Sequence, residues 1–113
     1  MAAIANLTID QGTTFSSDVT VKDANNNPFD LTGYTAEAKM SKGYSSTRTR
    51  TSITTTIAAD ATTGVVTLSL TSTVSAGLDA ERYVYDLEIT QTSSNNVTRV
   101  IEGIITVRPQ VSI

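Results

Sequence analysis

Short segments of this chain alternate strictly between apolar and polar residues. In 15–22, Phe15 and Val19 fall on one side of an extended backbone, and hydroxyl-bearing or charged residues fall on the other. The same period of two recurs in 65–70 and 82–89. Because successive side chains of a β-strand point to opposite faces, this period predicts strands with one buried face and one face in water.

Further strand patterns lie between these segments. Weaker alternation marks 6–9, 34–40 and 53–57, and a nearly continuous apolar run covers 97–107. Gly103 inside that run indicates a β-bulge or a close approach of another backbone. The total is about seven strands separated by turns rich in Asn, Asp, Ser and Gly, which predicts an all-β antiparallel sandwich.

One segment departs from the strand pattern. Leu70, Val74 and Leu78 are spaced four apart, hydroxyl residues that suit an N-cap precede Val74, and Gly77 stands near the end. This spacing predicts a helix of one or two turns within 71–78 that crosses between the two sheets. Tyr83 and Tyr85 follow five and seven residues after Leu78, a spacing that indicates a tyrosine corner, in which a phenol hydroxyl ties a crossover to the sheet.

Composition narrows the function more than the fold. The chain of 113 residues contains no Cys and no His, so disulfides, thiolate or imidazole metal sites and Ser-His catalysis are excluded. Its length predicts one domain, residues 1–113. With 21 Thr and 12 Ser but only 17% charged residues, most of the surface must carry hydroxyl groups. The net charge of −3 argues against general nucleic-acid binding, and no apolar run is long enough to span a bilayer.

The longest segment without an apolar period is 41–52, and it predicts a flexible loop that becomes ordered on a partner. No acidic residue lies between Glu37 and Asp60, so positive charge is concentrated there on an otherwise acidic chain. Such a cluster can contact an acidic partner surface, although a solvated loop explains it equally well. The candidate partner-contact residues are Lys39, Lys42, Tyr44, Arg48 and Arg50.

Two other patterns are weak. Asp23, Asn25 and Asn27 have the spacing of a calcium loop, but Pro28 stands where the sharp turn needs Gly, so an ordinary Asn-rich turn is favoured. Carboxylate pairs such as Asp86 with Glu88 could in principle serve glycoside hydrolysis, yet nothing in the sequence supplies a pocket for them. No catalytic, cofactor-binding or metal-binding residues are predicted, and no cofactor.

The order of motifs resembles a known family. Asp30-Leu31-Thr32-Gly33 follows a turn, Tyr83-Val84-Tyr85-Asp86 opens a strand, and the last strand carries Gly103 four residues before Val107. Together these motifs resemble the small immunoglobulin-like β-sandwich domains of tailed-bacteriophage virion proteins, which occur alone or as the N-terminal domain of baseplate upper-fibre proteins. Members often have Gly before the Arg-Tyr pair, where this chain has Glu81.

The resemblance implies an immunoglobulin-like antiparallel β-sandwich of about seven strands with one short helical crossover. It also implies a non-enzymatic structural role in a virion that assembles in the host cytoplasm. The expected partners are other virion proteins in multiple symmetric copies, with no nucleic acid and no membrane, and self-association stays open. A tail, baseplate, fibre-joining or neck position is favoured over capsid decoration.

Two alternatives to this role remain. A glycan-binding or host-surface-binding module would suit a sandwich domain, although aromatic residues make up only 5% of the chain and Trp is absent. A two-carboxylate hydrolase is the weaker alternative. The chain begins with Met and carries no basic segment followed by a long apolar stretch, so we expect a complete small protein without a secretory signal.

Overall fold

The computed structural model describes residues 3–43 and 49–111. Strands dominate, which confirms the all-β fold class. The strands are β1 (Ala3–Ile4), β2 (Leu7–Asp10), β3 (Phe15–Thr20), β4 (Tyr34–Ser41), β5 (Thr51–Ile57), β6 (Val65–Leu70), β7 (Arg82–Gln91) and β8 (Val97–Arg108). A 3-10 turn spans Ala61–Thr63, and the helix α1 spans Ser72–Ala76.

The strands form one curled, eight-stranded sheet that folds into two layers. The first layer has the order β1/β2-β8-β7-β4, and the second has the order β5-β6-β3. The strand β5 belongs to both layers, because Thr51–Ile53 pairs with β4 and Thr54–Ile57 pairs with β6. The count exceeds the predicted seven because the N-terminal segment forms two strands, and both pair in parallel with β8.

The core lies between the two layers. The residues that alternate inward along β6 and β7, such as Leu68 and Leu87, are fully buried, as is Ile105 of β8. Burying each such side chain contributes about 1.5–3 kcal/mol. The structure therefore confirms which face of each of the segments 15–22, 65–70 and 82–89 is buried.

The helical crossover forms where the sequence predicts it. The Thr71 hydroxyl accepts a hydrogen bond from the Val74 amide at 3.2 Å and so caps the first turn of α1. The buried Ser75 hydroxyl donates to the Thr13 carbonyl at 2.7 Å, which fastens the helix to the connection between β2 and β3. Since β6 lies in the second layer and β7 in the first, this helix carries the chain between layers.

The tyrosine corner is also present. The Tyr83 hydroxyl donates to the Asp79 carbonyl at 3.1 Å and accepts from the Asp79 amide at 3.0 Å. The Tyr85 hydroxyl contacts a different segment, donating to the Ala5 carbonyl at 2.5 Å between β1 and β2. Burial raises the pKa of Tyr83 above its usual value and raises that of Tyr85 to about 12.

Gly103 marks a close backbone approach and not a bulge. A Cβ at this position would lie 2.2 Å from the Ala5 carbonyl oxygen, so only glycine leaves room for the N-terminal segment. The bulge lies nearby, where Leu87 pairs with Ile101 but Glu88 pairs with Arg99. Two alternative predictions for this glycine are thus resolved in favour of the close approach.

In the Asn-rich turn, backbone amides donate hydrogen bonds to Asp23, the carboxylate with which the calcium-loop spacing begins. Asp23 Oδ1 accepts hydrogen bonds from the amides of Asn25 at 2.9 Å and Asn27 at 3.0 Å, and Asn26 adopts a left-handed φ of 64°. This geometry is that of an ordinary Asx-type turn. In the next turn, hydrogen bonds from Thr32 lower the pKa of Asp30 below its usual value.

Candidate docking surfaces

The predicted basic cluster divides between described and undescribed residues. Lys39 lies on β4, Lys42 follows it and Arg50 precedes β5, whereas Tyr44 and Arg48 lie outside the described residues. The predicted loop 41–52 overlaps the ends of β4 and β5, and its central part also lies outside. Its flexibility and its partner contacts therefore stay predictions.

Lys42 is held by two acidic residues of the connection into β7. Its Nζ forms an ion pair with Glu81 Oε2 at 2.9 Å and a shorter one with Asp79 Oδ2. These carboxylates, Asp79 first, raise the pKa of Lys42 above its usual value. Glu81 thus has a role where the resembling family often has Gly: its carbonyl also accepts from the Val107 amide at 2.9 Å.

Lys39 lies on the outer face of the first layer among charges of both signs. Its Nζ is 3.2 Å from Glu37 Oε1, and Asp86 of β7 is directly opposite it in the ladder. Together with Arg50 and Glu88, these side chains line a concavity of about 230 Å³. Two of the predicted basic residues, Lys39 and Arg50, therefore share this concavity with carboxylates, of which Asp86 and Glu88 come from a distant part of the sequence.

Arg99 extends this charged face to β8. Its guanidinium contacts Asp86 Oδ2 at 3.2 Å and Glu102 Oε2 at 3.4 Å. All three side chains are partly exposed, so each such pair contributes only about 0–1 kcal/mol. We call the outer face of β4, β7 and β8 the charged face.

The outer face of the second layer is different. Apart from Asp18 and Val65, the outward side chains of its three strands are hydroxyl-bearing, and the Thr67 hydroxyl donates to Asp18 Oδ1 at 2.6 Å. We call this surface the hydroxyl face. Its outward residues are Ser16, Asp18, Thr20, Thr54, Thr56, Val65, Thr67 and Ser69.

A third surface is the seam where β8 extends beyond the N-terminal strands. Within the described ranges, β1 and β2 cover the outer edge of β8 only from Ile101 to Arg108, so Val97–Arg99 pairs with β7 alone and Val100 is the unpaired residue of the bulge. A groove of about 320 Å³ opens beside this stretch and reaches the buried Ile89. We call it the seam groove; its lining residues are Lys22, Asp23, Ala24, Phe29, Tyr34, Ile89, Thr98, Arg99 and Val100.

The sequence did not indicate the seam groove. The apolar run of 97–107 predicts a strand but does not indicate which part of it is covered, and Val97 is 58% exposed. The exposure arises because the described N-terminal strands pair with a shorter stretch of β8 than β7 does. Pairing between distant strands cannot be recognised from the residues around Val97 alone. The only available signal was the Phe29 and Tyr34 pair beside a turn, whose rings pack edge to face with centroids 5.3 Å apart.

Reactive chemistry is sparse in the described part of the chain. Across residues 3–43 and 49–111, no three acidic side chains are placed to hold a metal ion. Every buried side-chain nitrogen or oxygen in these same ranges has a hydrogen-bond partner. Within them, too, there is no helix with the length and apolar character needed to cross a membrane.

Comparison with known proteins shows the fold. No family model and no curated protein matches the chain. Among solved structures, it is similar to the N-terminal domain of phage TP901-1 ORF48, with a TM-score of 0.56 and 10% identity over 92% of this chain and 85% of that one. The NK cell receptor NKp44 gives a TM-score of 0.46 at 18% identity over 95% and 98% of the two chains. At 10% identity, the similarity to the phage domain shows a shared all-β fold.

Proposed function

We propose that this protein is a non-enzymatic structural component of a phage virion that docks onto other virion proteins. The observation that carries the proposal is the fold similarity to a phage protein domain across 92% of the chain. The order of motifs in the sequence supports the same role. This support is independent, because the resemblance to virion domains rests on the sequence and not on the comparison of structures.

The surfaces support docking more than catalysis. In the concavity on the charged face, Glu37 is engaged by Lys39 and Asp86 is engaged by Arg99. Outside the ion-paired charged face, the protein presents hydroxyl groups and two sheet edges. Such surfaces suit contact with protein neighbours, where backbone pairing and shape provide specificity.

Within the virion we favour a tail, baseplate, fibre-joining or neck position, in several symmetric copies, over capsid decoration. The test is quantitative mass spectrometry of particles purified from the phage or prophage that encodes the chain. We expect the polypeptide in copies that are small multiples of a tail or neck symmetry. Copy numbers in the hundreds would move it to the capsid, and absence from the particles would refute the virion role.

A glycan-binding or host-surface-binding module is the second candidate. One observation favours it: Phe29 and Tyr34 line the seam groove beside Thr98 and Lys22, and a ring with polar neighbours is a common feature of sugar sites. The two rings, however, pack against each other. Binding of the isolated protein on a glycan array, lost in Tyr34→Ala, would support this candidate, and an array without signal would remove it.

A further inference from the structure

We infer that the seam groove is the docking site for an extended segment of another virion protein, which pairs with the edge of β8 at Val97–Val100 that no strand within 3–43 and 49–111 covers, and inserts an apolar side chain beside Ile89. This inference rests on the proposed virion function and names the surface and the kind of partner. The argument has three steps: backbone groups, side chains and charge.

The free backbone groups can be assigned from the ladder. The Gln91 amide donates to the Asn96 carbonyl at 3.0 Å, in the same register that pairs Ile89 with Thr98. Bonded and non-bonded pairs alternate along an antiparallel ladder, so Thr98 bonds to β7 while the N–H and C=O groups of Val97 and Arg99 point to the open edge. Unpaired edge groups of this kind are a template for an added strand.

The side chains beside this edge leave room for an insertion. Thr98 shares the inward face with Ile89, its directly opposite partner, yet Thr98 is exposed because the second layer does not cover it. Phe29, Tyr34 and Val100 supply further apolar surface around the groove. A space of about 320 Å³ accommodates one or two aliphatic side chains from a strand laid along β8.

The charged side chains around the groove indicate the chemistry of the segment that would bind there. Arg99 is engaged by Asp86 and Glu102, and Asp23 Oδ1 by turn amides, whereas Lys22 at the groove has no ion-pair partner within 3–43 and 49–111. An acidic residue next to the inserted apolar residue would satisfy this cation. A second copy of the chain is disfavoured, because a symmetric contact of this patch with itself would place two Lys22 ammonium groups together.

The first experiment locates the occupant directly. A phage lacking this gene is complemented with the protein carrying p-benzoyl-phenylalanine at Ala24 in the groove, or at Thr54 on the hydroxyl face as the control. Irradiated, purified particles are then analysed for cross-linked peptides. We expect Ala24 to cross-link to an extended, acidic and apolar segment of a different virion protein. Cross-links to a second copy, or none from Ala24 in particles that contain the protein, would overturn the inference.

The second experiment measures the consequence for assembly. Thr98→Arg places a long cation in the groove, and Thr54→Arg makes the same change on an exposed strand position of the hydroxyl face. Thermal unfolding of both purified variants shows that they are folded. We expect incorporation into particles to fall about tenfold or more for Thr98→Arg and to change less than about twofold for Thr54→Arg.

The outcomes separate the two proposals. Equal incorporation of Thr98→Arg and Thr54→Arg would overturn the seam groove as the docking site while leaving the virion role intact. Absence of the unmodified protein from particles would instead remove the virion role, and this inference with it. A folding defect of Thr98→Arg leaves the cross-linking result from Ala24 as the deciding measurement.

Discussion

The charged face and the hydroxyl face cover the same core with different chemistry. On the charged face, residues such as Lys39 and Asp86 are directly opposite, and Arg99 joins two carboxylates. On the hydroxyl face, Thr67 and Asp18 form a cross-strand hydrogen bond among Ser and Thr neighbours. The comparison teaches that alternation determines which residues are buried, whereas the outer residues are free to differ between layers.

The largest expected effect tests whether the cores beneath the two faces are equivalent. Leu87→Ala lies under the charged face and Leu68→Ala under the hydroxyl face, and both side chains are completely buried. We expect each variant to lose about 2–5 kcal/mol of unfolding free energy, measured by denaturant titration. A loss below about 1 kcal/mol in only one of them would show that one layer contributes far less to the core.

The next effect concerns the outer edge of the layer that bears the charged face. In Gly103→Ala the new methyl group collides with the Ala5 carbonyl, which must move away and give up its bond from Tyr85. We expect a loss of about 1–3 kcal/mol and faster amide exchange in β1. The matched control is Gly77→Ala, where the nearest atom is 3.5 Å away and φ is −83°, so the change should stay within about 0.5 kcal/mol.

The groups whose pKa is raised on folding above neutral pH lie in the first layer and its connections, so the free energy of unfolding at alkaline pH tests that layer. Tyr85 has a usual pKa of 10.0 that rises to about 12 in the folded protein, and Tyr83 and Lys42 are also raised. Between these pH values the unfolded chain loses protons that the folded chain retains, so stability falls as pH rises from 10 to 12. Below pH 10 these three groups are protonated in both states, so their contribution to stability should not change with pH there.

Tyr85→Phe separates this tyrosine from the other groups. The variant should be less stable at neutral pH, because the Ala5 carbonyl loses its donor, yet its stability should fall less steeply between pH 10 and 12. Denaturant midpoints across the pH range measure both. An unchanged slope would show that Tyr85 does not titrate in this window.

The smallest expected effect is a difference between the two faces in how salt changes the stability cost of a substitution. Arg99→Met removes two partly exposed ion pairs and should cost at most about 2 kcal/mol at low ionic strength, with most of the difference lost in high salt. Thr67→Val removes a hydrogen bond to Asp18 and should cost no more than about 1 kcal/mol at either salt concentration. A salt-dependent effect in Thr67→Val would contradict the assignment of long-range electrostatics to the charged face.

Local pattern predicted the elements that depend on local physics. The inward sets of β3, β6 and β7, the Thr71 cap and the Tyr83 corner all rest on spacings within a few residues, and all are present. The missed features depend on distant pairing. Asp79 contacts Lys42 from 37 residues away, β1 forms by pairing with β8, and the described N-terminal strands pair with β8 only from Ile101 onward, which leaves the seam groove beside Val97.

The sharing of β5 between the layers has a mechanical consequence. Because Thr51–Ile53 and Thr54–Ile57 pair with opposite layers, the sandwich has a continuous spine on one side and an open margin on the other. Sliding one layer past the other would therefore strain the backbone of β5, which is hydrogen-bonded to both layers. At the opposite margin, no described strand pairing joins β3 to the first layer, and the layers are connected there by loops and α1.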